Sequence, residues 1–184
     1  MNPRHRHHFD LMMKRGGLEA SPALVRLVKK HLTNYGINTP EHYELMKEMI
    51  WVGINNDFYG PPDAVMQEPE KEFLLEGKGY KIRGFIDRAM VINNGKSCII
   101  QDFKSSKARF NAQELQNNVQ AYTYTLVAKR QLYPDVKDVS VEFIFLRFPQ
   151  TQVQEVKVTD EQLKGFEKYL AYLYKIVNNF DEQQ

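Results

Sequence analysis

Three things are scarce in this sequence of 184 residues: cysteine, an excess of charge of one sign, and long apolar runs. The single cysteine, Cys98, excludes an internal disulfide and a four-cysteine metal cluster. Its place in an apolar segment favours a small buried side chain instead. The formal net charge of +2 excludes binding to nucleic acid through overall charge, so any basic surface must be local. No apolar run is long enough to span a membrane.

The chain begins with a basic segment, residues 1–20, that is rich in histidine near its start. Such a tract indicates either a metal-binding segment or a basic arm, and the lack of acidic residues beside it favours the arm. It has no apolar signal core, and one cysteine suits a reducing compartment, so we expect a cytoplasmic protein. Ser21-Pro22 and Thr39-Pro40 are typical helix starts. We expect His31 on the apolar face of the first of these helices.

The middle of the chain predicts a sheet. Strand-like segments run from Glu72 to Glu76, Tyr80 to Ile92 and Ser97 to Lys104, and Asn94-Gly95 is typical of a hairpin turn. A capping box at Asn111 then opens a predicted long helix to about Leu132. Two further strands, residues 141–148 and an edge strand at 153–158, precede a C-terminal helix. A helix between the third and fourth strands allows a parallel crossover, so we expect an α/β domain with a mixed central sheet flanked by helices.

The third strand ends in a chemically unusual way. The apolar residues before it are followed by Asp102, Phe103 and Lys104. Alternation along a strand places Asp102 and Lys104 on one face. Asp87, on the other arm of the hairpin, lies at a similar distance from the turn, so we expect the two carboxylates to converge. Oxygen ligands beside a cation suit a divalent metal and a phosphate, although a surface ion pair has the same pattern.

A third feature lies on the predicted long helix. Gln120 and Tyr124 are four residues apart and therefore share a helical face. That face is offset from the predicted apolar stripe of Leu115, Val119, Tyr122 and Leu126. The pair is therefore either the rim of an amphipathic helix or part of a site.

Taken in order, GFIDR (84–88), DFK (102–104) and QAYTY (120–124) resemble the PD-(D/E)XK nuclease superfamily, especially its RecB-type exonuclease branch. The resemblance covers about residues 70–150, and it implies an αβββαβ core like that of restriction endonucleases within a single domain of residues 1–184. Phe103 stands where the branch usually has tyrosine. The four cysteines of iron–sulfur relatives are missing, so no iron–sulfur cluster is expected.

The resemblance implies a role for each matching residue. Asp87 and Asp102 would bind Mg²⁺ or Mn²⁺, with the backbone carbonyl of Phe103 as a further ligand. Lys104 would orient the attacking water and stabilise charge on the phosphate.

Other roles rest on the same resemblance. Gln120 and Tyr124 would position the nucleic-acid backbone near the metal. Relatives often have an acid on the strand before GFIDR, for which Glu72 is the candidate, with Glu70 behind it. Some have a histidine ligand from an early helix. His31 is the candidate here, and the alternative is an ordinary core histidine.

The predicted function is metal-dependent hydrolysis of DNA, from an end, in phage or bacterial recombination, repair or defence. Nearby basic residues would guide single- or double-stranded DNA: Lys81, Arg83, Arg88, Lys107 and Arg109. A separate helicase or recombinase is an expected partner, and no membrane is expected. Two alternatives stay open, namely a catalytically idle nucleic-acid-binding module on the same fold and a structural protein with a charged surface network. The sequence does not decide whether the substrate is DNA or RNA, or whether cleavage occurs at an end or internally.

Overall fold

The computed structural model describes residues 10–12, 14, 15, 17, 19, 21–55, 61–150 and 152–181. Most of the basic N-terminal segment lies outside these residues, so the basic arm stays a prediction. The chain forms two compact units. The first comprises Met1–Phe58, Lys104–Lys107 and Ile144–Gln152, and the second comprises Tyr59–Phe103, Ala108–Phe143 and Val153–Gln184. The expectation of one domain over the whole chain likewise stays a prediction.

Two helices dominate the first unit: α1, Pro22–Asn34, and α2, Pro40–Asn55. Helix α1 starts as predicted, because Ser21 is extended at the N-cap and proline occupies the first turn. Its buried residues are Val28 and Leu32, which pack with partly buried Leu24, Tyr43, Met46 and Ile50. The apolar contact between the helices therefore runs along positions 24, 28 and 32.

His31 does not lie on this apolar face. Its side chain is exposed, as is that of Leu27 one turn earlier, which is 48% exposed. The expectation of a buried face is wrong here, because the packed stripe follows the i, i+4 row through Leu24, Val28 and Leu32. Residues 27 and 31 form the next row, which faces solvent. His31 as a metal ligand stays a prediction.

The described residues contain seven strands: β1, Val65–Met66; β2, Lys71–Gly77; β3, Tyr80–Ile86; β4, Arg88–Ile92; β5, Ser97–Lys104; β6, Asp138–Phe145; and β7, Val153–Lys157. They belong to the second unit, except for the last residue of β5 and the last two residues of β6. Strands β1, β4, β5, β6 and β7 form one sheet in the order β1-β4-β5-β6-β7, and β2 pairs with β3 alone. Strand β7 is an edge strand, as predicted. This mixed α/β architecture with a helix-flanked sheet confirms the expected fold class.

The hairpin between β4 and β5 is also confirmed. The strands pair antiparallel from Arg88↔Gln101 to Ile92↔Ser97. Positive φ angles at Asn93, Asn94 and Gly95 make the turn, which is the backbone that asparagine and glycine tolerate best. The turn chemistry therefore sets the register of both arms.

Strands β5 and β6 run parallel. The carbonyl of Lys96 accepts a hydrogen bond from Lys137 N (2.8 Å), and that of Lys104 accepts one from Leu146 N (2.9 Å), so pairing advances in the same direction on both strands. The connection contains helices α3, Ala112–Gln116, and α4, Val119–Val127, followed by a π-helical turn, Ala128–Leu132. This is the predicted helical crossover.

Two predicted elements are interrupted. The strand expected from Tyr80 to Ile92 breaks at Asp87, and its halves join different sheets. The helix expected from Asn111 to Leu132 breaks at residues 117 and 118, because Asn118 caps a new helix by accepting from Ala121 N (3.0 Å).

The predicted apolar stripe of the crossover helix is partly wrong. Val119 is 55% exposed, whereas Ala121, Tyr124 and Thr125 are buried. The break explains this difference, because it resets the angular phase of α4 relative to α3.

Helix α5, Asp160–Asp181, ends the described chain. Its predicted capping box is present: Thr159 Oγ1 accepts from Gln162 N (3.2 Å), and Gln162 Oε1 accepts from Thr159 N (2.8 Å). The phenol of Tyr80 donates to Glu167 Oε1 (3.0 Å), and the rings of Tyr122 and Phe166 pack 5.3 Å apart. The first half of α5 is therefore fixed against β3 and α4. Within the described ranges, no helix combines the length and apolar character needed to cross a bilayer.

The burial of Cys98 generates a first prediction. The side chain is 1% exposed, and burial raises the pKa of its thiol to about 12. Because the thiolate is the reactive form, we expect the native chain at pH 8 to react with Ellman's reagent at least about 100-fold more slowly than the chain unfolded in guanidinium. Equal rates in the native and unfolded chain would contradict the buried position of β5.

Candidate active site

Asp87 and Asp102 lie at the open end of the β4–β5 hairpin. The last regular pair is Arg88↔Gln101, so one further step in the same register would set Asp87 opposite Asp102. Asp87 Oδ2 also accepts a hydrogen bond from Phe103 N (3.0 Å), which ties its carboxylate to the strand that carries Asp102. Both observations agree with the predicted convergence of the two acids, and their sharing of one metal stays a prediction.

The Asp102 carboxylate is enclosed. The residue is 3% exposed, and its Oδ2 accepts hydrogen bonds from Gln120 Nε2 (2.7 Å) and from the Tyr124 hydroxyl (3.0 Å). Gln120 Nε2 is also 2.7 Å from the Tyr124 oxygen, so its two protons serve Asp102 and Tyr124. Asp102, Gln120 and Tyr124 therefore form one hydrogen-bonded cluster, here called the Asp102 cluster.

Helix α4 supplies two members of this cluster because of where it starts. Asn118 caps it, which puts Gln120 in the first turn and Tyr124 one turn later on the same face. Ala121 between them is fully buried, and the Tyr124 ring meets Phe73 edge-on at 6.4 Å. The Tyr124 hydroxyl also lies 3.1 Å from the carbonyl of Phe85, a second acceptor for its proton. Packing and hydrogen bonds thus fix the tyrosine at both ends.

The environment of Tyr124 keeps its phenol protonated, so that it acts as a hydrogen-bond donor. Burial, and then the negative charge of Asp102, raise the pKa of the Tyr124 phenol far above its ordinary value. The phenol therefore stays protonated across the physiological range and continues to donate a hydrogen bond. A protonated phenol and an amide can orient a carboxylate without neutralising it.

The donors at this position fit a hard divalent cation. Asp87 lies directly before β4, Asp102 lies on the neighbouring strand β5, and the carbonyl of Phe103 follows Asp102. Within the described residues, no group of three or more histidine, cysteine or acidic side chains is placed to hold a metal. Two carboxylates and a carbonyl, completed by water, suit Mg²⁺ or Mn²⁺, since Mg²⁺ keeps several waters in protein sites.

Glu72 is not brought to the two aspartates. It pairs in register with Phe85 on the exposed side of β2, where its Oε1 accepts from Arg83 Nε (2.6 Å). The β2 pleat is the reason, since Phe73 points inward to Tyr124 and Glu72 must point the other way. Glu70 lies nearer, because its backbone N–H donates to the Asp87 carbonyl (3.0 Å).

The expected basic residues are in different environments. Lys81 and Arg83 are exposed and form ion pairs with Glu76 and Glu72. Arg88 is 6% exposed and its Nη2 lies 3.8 Å from the sulfur of Met66, which corrects the expectation that it lies on a nucleic-acid surface. It is buried because its side chain lies across the neighbouring strand β1, which carries Met66, and not toward solvent. The remaining candidates are Lys107, which is exposed, and Arg109 and Lys104, which are half-buried.

One polar contact was missed by sequence reasoning. Gln101 is 2% exposed, and its Nε2 donates to Glu142 Oε2 (2.7 Å) on β6. It directly precedes Asp102 and points to the opposite face of the sheet. A glutamine within an apolar strand was the available signal, since a buried amide needs a partner.

Comparison of the chain with known proteins shows the family to which it belongs. The model of the PD-(D/E)XK nuclease superfamily matches residues 7–184, so the chain belongs to that superfamily, whose members are mostly metal-dependent nucleases. No curated protein matches the chain. It is similar to the structure described as "Crystal structure of SSO0001", with 20% identity, a TM-score of 0.39, and coverage of 79% of this chain and 63% of that chain. The chain thus spans less than two thirds of that structure.

The Asp102 cluster generates a stability prediction. Tyr124→Phe removes the hydroxyl and keeps the ring contact with Phe73. We expect it to lower the free energy of unfolding by about 1–3 kcal/mol, because a buried hydrogen bond to a carboxylate is lost. Urea denaturation in EDTA measures this effect without metal. Tyr122→Phe on the same helix is the control, for which we expect a change below about 0.5 kcal/mol; equal losses in both variants would contradict the cluster.

Proposed function

We propose that this chain is a metal-dependent deoxyribonuclease that hydrolyses DNA phosphodiester bonds, from an end, in the manner of the RecB-type branch. The observations that support the proposal are the hydrogen bonds of the two aspartates: Asp102 accepts from Gln120 and Tyr124, and Asp87 accepts from Phe103 N, next to Asp102. The family membership supports the nuclease chemistry. The order of the GFIDR, DFK and QAYTY segments supports the branch.

In this proposal Asp87, Asp102 and the Phe103 carbonyl hold Mg²⁺ or Mn²⁺. Such a metal, when bound, lowers the pKa of a coordinated water so that hydroxide is available near neutral pH. The two carboxylates would otherwise repel each other, so the cation also relieves their mutual charge. No iron–sulfur cluster is part of the proposal.

Lys104 supplies a positive charge at the last position of β5, on the same strand as Asp102. An ammonium group binds phosphate as a point charge. We assign it the orientation of the attacking water and the stabilisation of charge on the scissile phosphate. Its role differs from that of the aspartates, because it contacts the substrate and not the metal.

The main role of Gln120 and Tyr124 is to orient Asp102. Their hydrogen bonds of 2.7 and 3.0 Å to Oδ2 fix the carboxylate in one orientation. We also assign Gln120, which is half-buried, a contact with the nucleic-acid backbone beside the metal. Both residues are therefore positioning groups for the proposed reaction.

The exposed cations Lys81, Arg83 and Lys107, with half-buried Arg109, are proposed to guide the DNA backbone. The proposed setting is the cytoplasm of a bacterium or a phage-infected cell. Recombination, repair or defence would each use this chemistry, with a separate helicase or recombinase as a partner.

The experiment is incubation of the chain with linear and circular DNA, with Mg²⁺, with Mn²⁺ or with EDTA. We expect loss of the linear substrate only, and only with metal. Asp87→Asn, Asp102→Asn and Lys104→Ala should each lower the rate by more than about 100-fold, since even groups that only support metal ligands contribute about 10–100-fold. Matched controls are Asp135→Asn and Lys137→Ala, both at exposed positions, which should keep full activity.

The possible results distinguish the proposed nuclease from its alternatives. DNA binding without cleavage under every metal condition would contradict the nuclease and favour an idle binding module. Loss of circular DNA as well would contradict the action from an end. Faster cleavage of RNA than of DNA would contradict the assigned substrate.

A further prediction concerns the third acid. Because Glu72 is paired with Arg83 on the exposed side of β2, we expect Glu72→Gln to change the Mg²⁺ dependence of cleavage by less than about twofold. Glu70→Gln should have the larger effect, since its backbone is bonded to Asp87. Titration of the cleavage rate with Mg²⁺ measures both. A loss confined to Glu72→Gln would show that Glu72 leaves Arg83 to join the metal.

A further inference from the structure

The C-terminal half of α5 exposes an unusual amount of apolar surface. We use the name α5 face for its exposed side chains Tyr169, Tyr172, Leu173, Val177 and Phe180. Tyr172 is 63% exposed and Phe180 is 69% exposed. The first half of the helix differs, because Leu163 and Phe166 are buried within the second unit. Only the later turns of α5 therefore lack a covering element within the described part of the chain.

The spacing on this face is that of a helix that packs along another helix. Apolar residues recur at alternating intervals of three and four, at Phe166, Tyr169, Leu173, Ile176 and Phe180. This is the a and d pattern of a two-helix seam, in which side chains of one helix fill spaces between those of its partner. The seam starts in the core of the unit and continues onto the α5 face.

The low charge of the segment limits the kinds of partner that it can bind. Residues 169–180, YLAYLYKIVNNF, carry one charged side chain, Lys175. A nucleic-acid surface needs several lysines or arginines to neutralise phosphates. An interfacial membrane helix needs a strongly charged polar face, rich in lysine and arginine. Neither requirement is met, so the partner must be an uncharged apolar helix.

The exposed area is that of a small interface. Aromatic side chains bury roughly 150–250 Å² each, so five side chains about half exposed offer on the order of 500 Å². That is at the upper end of the largest apolar patch on a typical monomer, roughly 300–600 Å². It is also most of the roughly 800 Å² that each partner contributes to a standard interface.

We propose that the α5 face pairs with the same face of a second copy of this chain, as an antiparallel two-helix interface. A two-fold axis between Leu173 and Ile176 superposes residues 169–180 of both copies, and closes the assembly as a dimer. It also sets the helix dipoles antiparallel. The formal net charge of +2 gives little repulsion between copies. This proposal does not depend on the nuclease proposal.

The experiment is sedimentation equilibrium of the full chain, with matched variants on one helix. We expect the wild type to be a dimer at concentrations on the order of 10 µM. Phe180→Glu should be a monomer, because it puts a carboxylate into the seam. Asn178→Glu should remain a dimer, because residue 178 lies on the opposite side of α5. Circular dichroism checks that both variants keep their helices.

Cysteine crosslinking tests the orientation. Cys98 is buried and does not interfere, so single cysteines can be added directly. Leu173→Cys, next to the proposed axis, should form a disulfide-linked dimer on mild oxidation, whereas Phe180→Cys should not. Equal crosslinking of both would overturn the antiparallel arrangement. A monomeric wild type or a dimeric Phe180→Glu would overturn the proposal.

Discussion

The candidate site depends on holding one carboxylate, that of Asp102, away from water at the end of a buried strand. Such burial costs several kcal/mol unless hydrogen bonds and opposite charge compensate it. Gln120 and Tyr124 provide the hydrogen bonds, but both are neutral, and Asp87 across the hairpin adds a second acid. In the proposed function, a divalent cation held by both carboxylates completes this arrangement.

Two interruptions in regular structure make that arrangement possible. The break at Asp87 lets β3 and β4 join different sheets, so the acid lies at a junction, bonded through its carbonyl to Glu70 N and through its carboxylate to Phe103 N. The break at Asn118 starts α4 afresh, which turns Gln120 and Tyr124 towards β5. Each interruption weakens an element locally and positions a polar group in return.

Much of the fold and of the candidate site could be predicted from the sequence wherever local residues strongly favour one structure. Asn94-Gly95 specified the hairpin, and counting from it aligned Asp87 with Asp102. The predictions failed where tertiary contacts determine the end of an element or the burial of a side chain. Hydrophobic periodicity continues through Asn118 and Asp87, so neither break has a clear local signal. Arg88 was expected to guide DNA because it is basic and lies near the predicted site, and only the structure shows that it is buried on an internal strand.

The central claim is that Asp87 and Asp102 jointly hold one divalent cation. Calorimetric titration with Mn²⁺ in the absence of DNA tests it directly, since no cleavage is involved. We predict one Mn²⁺ site in the wild type and in Asp135→Asn, and at least about a 100-fold weaker affinity in both Asp87→Asn and Asp102→Asn. Unchanged Mn²⁺ affinity in Asp102→Asn, in a variant that stays folded, would contradict the account.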